Sequence, residues 1–150
     1  MNLKNYTSEI PAHRSMGIIE NNLVQAGATD ISKRYEEGIC RAITFRMLIN
    51  QQPLFFKLPA QVDACFKVLW AEVKRPRPET KGNVIKQSEM TAWKIVCDWV
   101  EIQLSMIKLN QVEALQIFLP YVYDPASDQT FYEKLKGSGF KALLPSSSNH

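Results

Sequence analysis

The chain has 150 residues, of which 45% are hydrophobic and 22% charged, with a formal net charge of +3. These are the values of one ordinary globular domain, and they argue against a protein that needs disulfides or a structural metal for its stability. No run approaches the roughly 18 apolar residues of a membrane span, and the mild positive charge does not by itself indicate nucleic-acid binding.

Three cysteines, Cys40, Cys65 and Cys97, each fall within a regular apolar pattern. An odd number in such settings favours buried free thiols in a reducing cytoplasm, and one disulfide with a thiol left over is the alternative. The first ten residues lack the apolar run of a secretory signal peptide. We therefore expect a cytoplasmic protein.

The chain opens with a segment, residues 1–10, that we expect to be frayed. A helix is predicted over residues 11–26, because Pro11 suits a first helical turn and Gly27 suits the position just after the end. The apolar residues in between recur at helical spacing, at positions 16, 19, 23 and 26.

The hydrophobic period then changes to two. Residues 39–49 alternate in a way that predicts a half-buried strand with its odd-numbered side chains towards the core. A weaker strand over residues 29–35 precedes it and a third, over residues 53–58, follows it, with short turns at residues 36–38 and 50–52. The sequence thus predicts a three-stranded antiparallel meander.

The second half of the chain is predicted to be mostly helical. Helices are predicted over residues 60–74, 83–110, 112–119 and, as a last turn, 130–136, separated by a proline-rich loop and a turn-rich segment. The helix over residues 83–110 carries two apolar stripes, so we expect it to be central and covered on two or more sides. Ala92, Ile95, Val96, Trp99, Ile102, Met106 and Leu109 form one stripe, and Trp93, Cys97, Val100, Leu104 and Ile107 form the other.

Together these elements predict an α+β fold in the order α-β-β-β-α-α-α, with helices stacked on one face of a small sheet. A single domain would span residues 1–144, followed by a disordered, serine-rich tail at residues 145–150. The long helix has more apolar surface than such a sheet covers, which favours homo-oligomerisation through it.

Residues that could support catalysis are scarce. The only histidines are His13 and His150, and no metal-binding motif or glycine-rich phosphate loop is present. Cys97 has apolar helical neighbours, which make a thiol inert, and Asp98 with Glu101 is typical of a solvated helix face. We predict a protein that is not an enzyme and needs no metal or cofactor.

A cluster of cations is the feature most open to a functional interpretation. Two prolines, Pro76 and Pro78, stiffen its backbone, and such a loop can contact phosphates at little ordering cost. Basic residues and an outward-facing aromatic on the predicted sheet could extend the contact by base stacking. The predicted nucleic-acid-binding residues are Lys74, Arg75, Arg77 and Lys81 in the loop, with Phe55 and Lys57 on the sheet.

Several short motifs resemble a family of small uncharacterised proteins encoded by bacteriophages, prophages and related mobile elements. The resemblance covers roughly residues 8–136 and implies a mobile-element origin and the cytoplasm of a bacterial host, with no activity to carry over. It is carried by Trp93-Lys94, Asp98-Trp99-Val100-Glu101, Gln103-Leu104, Phe118-Leu119-Pro120-Tyr121 and Thr130-Phe131-Tyr132-Glu133, and by the layout of Ile10-Pro11, Gly27-Ala28 and Leu58-Pro59.

Two hypotheses follow. The first is a non-enzymatic accessory protein of phage or mobile-element DNA metabolism, which contacts nucleic acid, plausibly single-stranded, through the loop and the exposed sheet face. The second is an inhibitor or adaptor that binds a host protein or an anti-phage defence protein through exposed apolar surface. Its predicted contact residues are Trp70, Phe118, Tyr121 and Tyr123.

Overall fold

The computed structural model describes residues 1–110 and 112–146. The chain is α+β, as predicted, and its elements are α1 (Ala12–Gln25), β1 (Ala28–Glu36), β2 (Ile39–Ile49), β3 (Gln52–Pro59), α2 (Val62–Trp70), α3 (Thr80–Lys108), α4 (Ala114–Phe118), β4 (Val122–Asp124), β5 (Gln129–Thr130) and α5 (Phe131–Gly137). Single 3₁₀ turns occupy Leu119–Tyr121 and Lys141–Leu143. Most of the predicted tail, residues 145–150, lies outside the described residues.

The sheet has five antiparallel strands in the order β1-β2-β3-β4-β5. The three predicted strands are confirmed, but the predicted number of strands is wrong and the predicted order of elements matches only in part. The reason is that β4 and β5 come from a stretch expected to hold turns and the start of the last helical turn. With three and two residues, these strands are too short for an alternating pattern to show. Their place is set by pairing: Tyr123 lies opposite Phe55, and Val122 opposite Phe56.

Two tight hairpins set the register of β1, β2 and β3. Glu37 and Gly38 have φ of 55° and 76°, and Asn50 and Gln51 have φ of 50° and 67°. Positive φ at two successive residues is the geometry of the two-residue hairpin turn that matches the right-handed twist of strands. Glycine is the usual residue at the second position of this turn, and Gln51 occupies that position in the β2–β3 hairpin, where its Cβ makes the positive φ strained.

A β-bulge in β2 corrects the predicted alternation. Arg34 lies opposite Ala42 and Tyr35 opposite Cys40, so Arg41 is one extra residue in its strand. Beyond the bulge, the odd residues Ile43, Phe45 and Met47 are buried, as predicted. Before it, Cys40 is the buried residue, because one inserted residue exchanges the two faces of a strand.

The helix α3 packs between α1 and α2, and its buried side chains join those of the sheet in one core. Its buried side follows the stripe through Trp93, and the indole Nε1 of that residue donates a hydrogen bond of 3.1 Å to the carbonyl oxygen of Cys40. The other predicted stripe is only half-covered, and Ile102 and Leu109 on it are 57% and 68% exposed. The buried residues of α3 are Ser88, Thr91, Ala92, Trp93, Cys97, Val100 and Leu104.

The N-terminal segment is ordered, so the prediction that residues 1–10 are frayed is wrong. Asn5 donates a hydrogen bond from Nδ2 to Asp98 at 2.9 Å and accepts one at its carbonyl from Thr91 Oγ1 at 2.8 Å. Gln87 Nε2 donates to the carbonyl of Ser8 at 2.9 Å. These partners are polar side chains of α3, far away in sequence, which is why the segment itself carries no sign of its order.

Replacing Trp93 with phenylalanine should lower the free energy of unfolding by about 2–4 kcal/mol. The change leaves a cavity and removes the donor to a buried carbonyl, and both effects destabilise a core. Trp70→Phe, at a half-buried position, is the matched control and should cost less than about 1 kcal/mol. Urea unfolding followed by circular dichroism measures both, and equal losses would contradict the anchoring role of Trp93.

Gln51→Gly should raise the free energy of unfolding by about 0.5 kcal/mol. Glycine relieves the strain of a positive φ, and part of that gain is offset by its larger entropy in the unfolded chain. Gln52→Gly, at the first residue of β3, should instead destabilise the protein. Thermal unfolding of the two variants decides the matter, and a loss of stability in Gln51→Gly would refute the turn assignment.

Candidate nucleic-acid interface

The basic loop, which we define as Lys74, Arg75, Arg77 and Lys81, joins α2 to α3. All four side chains are exposed, and Lys81 lies in the first turn of α3. The loop backbone is held at its end, where Arg77 N donates to Thr80 Oγ1 at 2.9 Å and Thr80 N donates to the carbonyl of Arg77 at 3.1 Å. Together with its two prolines, these bonds limit the conformations that the loop must give up on binding.

Cations of the sheet are paired with carboxylates, whereas those of the basic loop are not. Arg46 contacts Asp30 at 3.1 Å and Lys33 contacts Glu20 at 2.8 Å. Across residues 1–110 and 112–146, no ion pair includes a member of the basic loop. The cations of the loop are therefore exposed to solvent, and a ligand that binds them does not have to break an ion pair within the described residues.

A shallow, open concavity of about 700 Å³ lies beside the loop. Arg75 and Arg77 line it together with residues from the first turns of α3, while Lys74 and Lys81 lie outside the lining. In the part of the chain that the structure describes, no side chain caps the N-terminus of α3, so its backbone N–H groups add partial positive charge there. The remaining lining residues are Leu69, Glu79, Thr80, Asn83, Val84 and Gln87.

Three polar residues of this concavity, Thr80, Asn83 and Gln87, were missed by the sequence analysis. They follow the basic loop at spacings of three and four, which places them on one side of a helix. That spacing was the available signal, but the predicted start of the helix at residue 83 put Thr80 in the loop. The structure begins α3 at Thr80.

Phe55 and Lys57, the predicted contacts on the sheet, lie on a different surface. Their neighbour Phe56 is fully buried in the core, so the alternation of the strand directs Phe55 and Lys57 to the face opposite the helices. Phe55 is 39% exposed and lines a small depression with Arg46. Neither residue lines the concavity beside the basic loop, so the structure does not join the two predicted halves into one site.

A hydrogen-bonded network occupies the open face of the sheet near Lys57. Arg34 donates to Asp128 Oδ1 at 3.1 Å and to the hydroxyl of Tyr123 at 3.2 Å, and that hydroxyl donates to the same carboxylate. The hydrogen bond from Tyr123, and then that from Arg34, hold the pKa of Asp128 below its ordinary value of 3.8. The positive charge on this face is therefore largely neutralised.

Of the predicted protein-contact residues, Phe118 is a correction. It is fully buried and packs edge-on against Phe45 and Trp99, at centroid distances of 5.4 and 5.8 Å. A side chain without exposed surface offers no contact to a partner. Aromatic residues fill cores as readily as they mark interfaces, and the sequence does not separate the two.

The other three predicted protein-contact residues are half-buried. Trp70 stacks on Phe66 at the end of α2, with 5.7 Å between ring centroids. Tyr121 packs edge-on against Trp99 at 5.7 Å, while the hydroxyl of Tyr123 belongs to the network with Asp128. These side chains are engaged in separate places, so they do not form one exposed apolar patch.

The three cysteines are buried free thiols, as predicted. Burial, the main cause, raises the pKa of Cys97 to about 11, and the neighbouring carboxylate of Glu101 adds to the effect. A thiol with so high a pKa is protonated at neutral pH and is a poor nucleophile. Within the described part of the chain, no three residues among His, Cys, Asp and Glu are grouped so that they could hold a metal ion.

No protein-family model, curated protein or solved structure matches this chain. The resemblance to mobile-element proteins therefore stays a prediction. None of the helices in residues 1–110 and 112–146 combines the length and apolar character needed to cross a membrane.

The network on the sheet should make stability depend on pH in acid. Because the folded-state pKa of Asp128 lies below its ordinary value of 3.8, its contribution is present above about pH 4 and is lost as the pH falls through the lowered pKa. Asp128→Asn should lower the urea midpoint at pH 7 and flatten its fall below pH 4. Glu72→Gln, a matched charge change at an exposed position of the α2–α3 loop, should leave the profile as it is. A wild-type profile for Asp128→Asn would contradict the network.

Proposed function

We propose that the protein is a non-enzymatic accessory protein of phage or mobile-element DNA metabolism that binds nucleic acid through the basic loop. The observation that carries this proposal is the contrast in pairing: sheet cations such as Arg34 and Arg46 form ion pairs, and the exposed cations of the loop form none within the described residues. The mobile-element setting comes from the sequence resemblance alone.

Phosphate is the ligand chemistry that best suits the loop. Binding of cations to a nucleic-acid backbone releases condensed counterions, which favours association most strongly at low salt. An unpaired cation gains this contribution in full, whereas a paired one first loses its carboxylate. Arg75 and Arg77 also offer forked guanidinium donors, which bind phosphate oxygens in a bidentate way.

The surroundings of the loop favour contact with the backbone over reading of bases. The concavity is open and shallow, and Thr80 and Asn83 supply a hydroxyl and an amide beside the arginines. Such groups contact phosphate and sugar oxygens and carry no sequence information. We therefore propose binding that is independent of sequence. Phe55 and Lys57 are left out of this interface because they lie on the opposite face of the sheet.

A second candidate function, docking to a host or anti-phage defence protein, is favoured by an apolar cleft between α2 and α3. The cleft has a volume of about 200 Å³ and includes Val68, Ile95 and Val96 in its lining. Val68 is 44% exposed, and Ile102 lies further along α3 with 57% exposed. Purification from the host separates this function from the first, because a docking protein co-purifies with a protein and a nucleic-acid-binding protein with nucleic acid. If α3 instead binds a second copy of the chain, light scattering would show a dimer.

The triple substitution of Arg75, Arg77 and Lys81 by alanine should weaken binding to a single-stranded oligonucleotide by more than tenfold at low salt. The slope of log K against log salt should fall by about 2, since each phosphate contact to a single strand contributes roughly 0.7. Fluorescence anisotropy of a labelled oligonucleotide across a salt series, with nuclease-treated protein, measures both quantities.

The matched control replaces Arg14, Lys136 and Lys141 by alanine. These exposed cations also stand outside the ion pairs of the described residues, and their removal changes the net charge equally. The control should retain wild-type affinity to within about threefold. Equal losses in the two triple variants would show that net charge and not the basic loop drives binding, and no binding by the wild type would reject the proposal.

A further inference from the structure

Two joined depressions form a groove on the side of the molecule where α2, β3 and α5 meet. The larger has a volume of about 490 Å³ and the smaller about 230 Å³. Lys57, Pro59 and Gln61 line both, so the two depressions adjoin each other. The volume of the larger depression, even without the smaller one, falls within the roughly 300 to 1,000 Å³ that is usual for small-ligand sites. None of the residues of the basic loop lines either depression.

The smaller depression gathers three cations. Arg34, Arg41 and Lys57 line it, with Glu36 and Asp63 as the acidic residues of the lining. Their side chains come from β1, β2 and β3, and the bulge at Arg41 brings that side chain to this end of the sheet. Asp128, which accepts a hydrogen bond from Arg34 and lies 3.9 Å from Lys57, brings the carboxylates to three as well. An anion is therefore favoured here by unmade hydrogen bonds and not by net charge.

Two of these cations, Lys57 and Arg41, have hydrogen-bond donors without an acceptor among the described residues. The ammonium of Lys57 is 3.9 Å from Asp128 Oδ1, which is too far for a hydrogen bond, although its side chain is only 18% exposed. Arg41 donates from Nη1 to Asp63, and its Nε is buried without a hydrogen-bond partner among the described residues. A half-buried cation with unmade hydrogen bonds is costly unless a ligand completes them.

The larger depression has a different character. Tyr121, Tyr132, Pro59 and Pro120 supply flat apolar surface along its sides. Glu133, which accepts hydrogen bonds from the backbone N–H and hydroxyl of Thr130 at 3.0 and 3.1 Å, is the charged group at this end. A carboxylate repels an anion but accepts hydrogen bonds from an amino group. A neutral ring with an exocyclic amine suits this part, and an anion does not.

We propose that this groove binds a nucleoside monophosphate. The phosphate lies in the smaller depression and receives donors from Lys57 and Arg41; the base lies in the larger one, against Tyr121 and Tyr132, with its amine towards Glu133. The tyrosines supply stacking surface that any base can use. An acidic peptide would satisfy the cations but leaves the flat surface beside Glu133 without a matching group. The inference does not depend on the proposed function of the basic loop.

Isothermal titration calorimetry with adenosine 5′-monophosphate (AMP) tests the proposal. Adenosine and inorganic phosphate, titrated separately, should each bind at least tenfold more weakly than AMP, because each fills one depression. Lys57→Met should weaken AMP binding by about tenfold or more through loss of a charge-assisted hydrogen bond. Tyr132→Ala, at a side chain that is 51% exposed and therefore dispensable for the core, should weaken AMP binding and leave phosphate binding unchanged.

Two controls keep the result specific. Lys136→Met removes an exposed cation of α5 that does not line the groove, and the triple alanine variant of the basic loop tests independence from the other interface; both should bind AMP like the wild type. The proposal is overturned if millimolar AMP gives no binding, if both Lys57→Met and Tyr132→Ala bind AMP like the wild type, or if phosphate alone binds as tightly as AMP. Preferential binding of an acidic, tyrosine-containing peptide, or loss of AMP binding in the loop variant, would also overturn it.

Discussion

The packing of Trp93 between α3 and the sheet is the constraint on which the other elements depend. Its side chain is fully buried and its indole N–H is satisfied by the carbonyl of Cys40, beside the bulge of β2. One contact therefore fixes both the height of the longest helix and its rotation over the sheet. The cluster of Phe45, Phe56 and Phe118, with stacked or edge-on rings 5.0 to 6.0 Å apart, continues this core towards α4.

That arrangement also decides where charge is exposed. The basic residues of β1, β2 and β3 all lie beside carboxylates. Arg46 pairs with Asp30 of β1, Arg34 and Lys57 with Asp128 between β4 and β5, Lys33 with Glu20 of α1, and Arg41 with Asp63 of α2. The α2–α3 loop has two acids, Glu72 and Glu79, and neither forms an ion pair with its cations within the described residues. A ligand can therefore bind the loop cations without breaking an ion pair of the described residues, whereas an anion at the sheet competes with carboxylates.

The elements predicted correctly are those with a long, regular pattern. The strand Ile39–Ile49 was placed at both ends, and α3 was placed to within three residues, since eleven alternating residues and eight helical turns leave little ambiguity. Local features were the ones missed. The bulge at Arg41 depends on pairing with β1, and the order of the N-terminal segment depends on Gln87 and Thr91 of α3. Neither the bulge nor the order of the N-terminal segment can be predicted from the residues of the segment itself.

The candidate sites divide in the same way. The residues of the basic loop are close together in the sequence, so the cluster was found there. The groove around Lys57 is formed by residues of separate elements, and no regular spacing in the sequence indicates it. These residues include Arg34, Arg41, Gln61 and Tyr132. Phe118 shows the opposite error, since it was predicted to lie on exposed apolar surface and the ring is in the core. Contact between distant residues is what a single sequence does not supply.

Nuclear magnetic resonance titration of ¹⁵N-labelled protein with a short single-stranded oligonucleotide tests the central claim most directly. The account predicts that the largest amide shift changes fall in residues 74–87, the loop and the first turns of α3, and that they shrink as salt is added. Shift changes confined to the open face of β1, β2 and β3, or no changes at low salt, would contradict it.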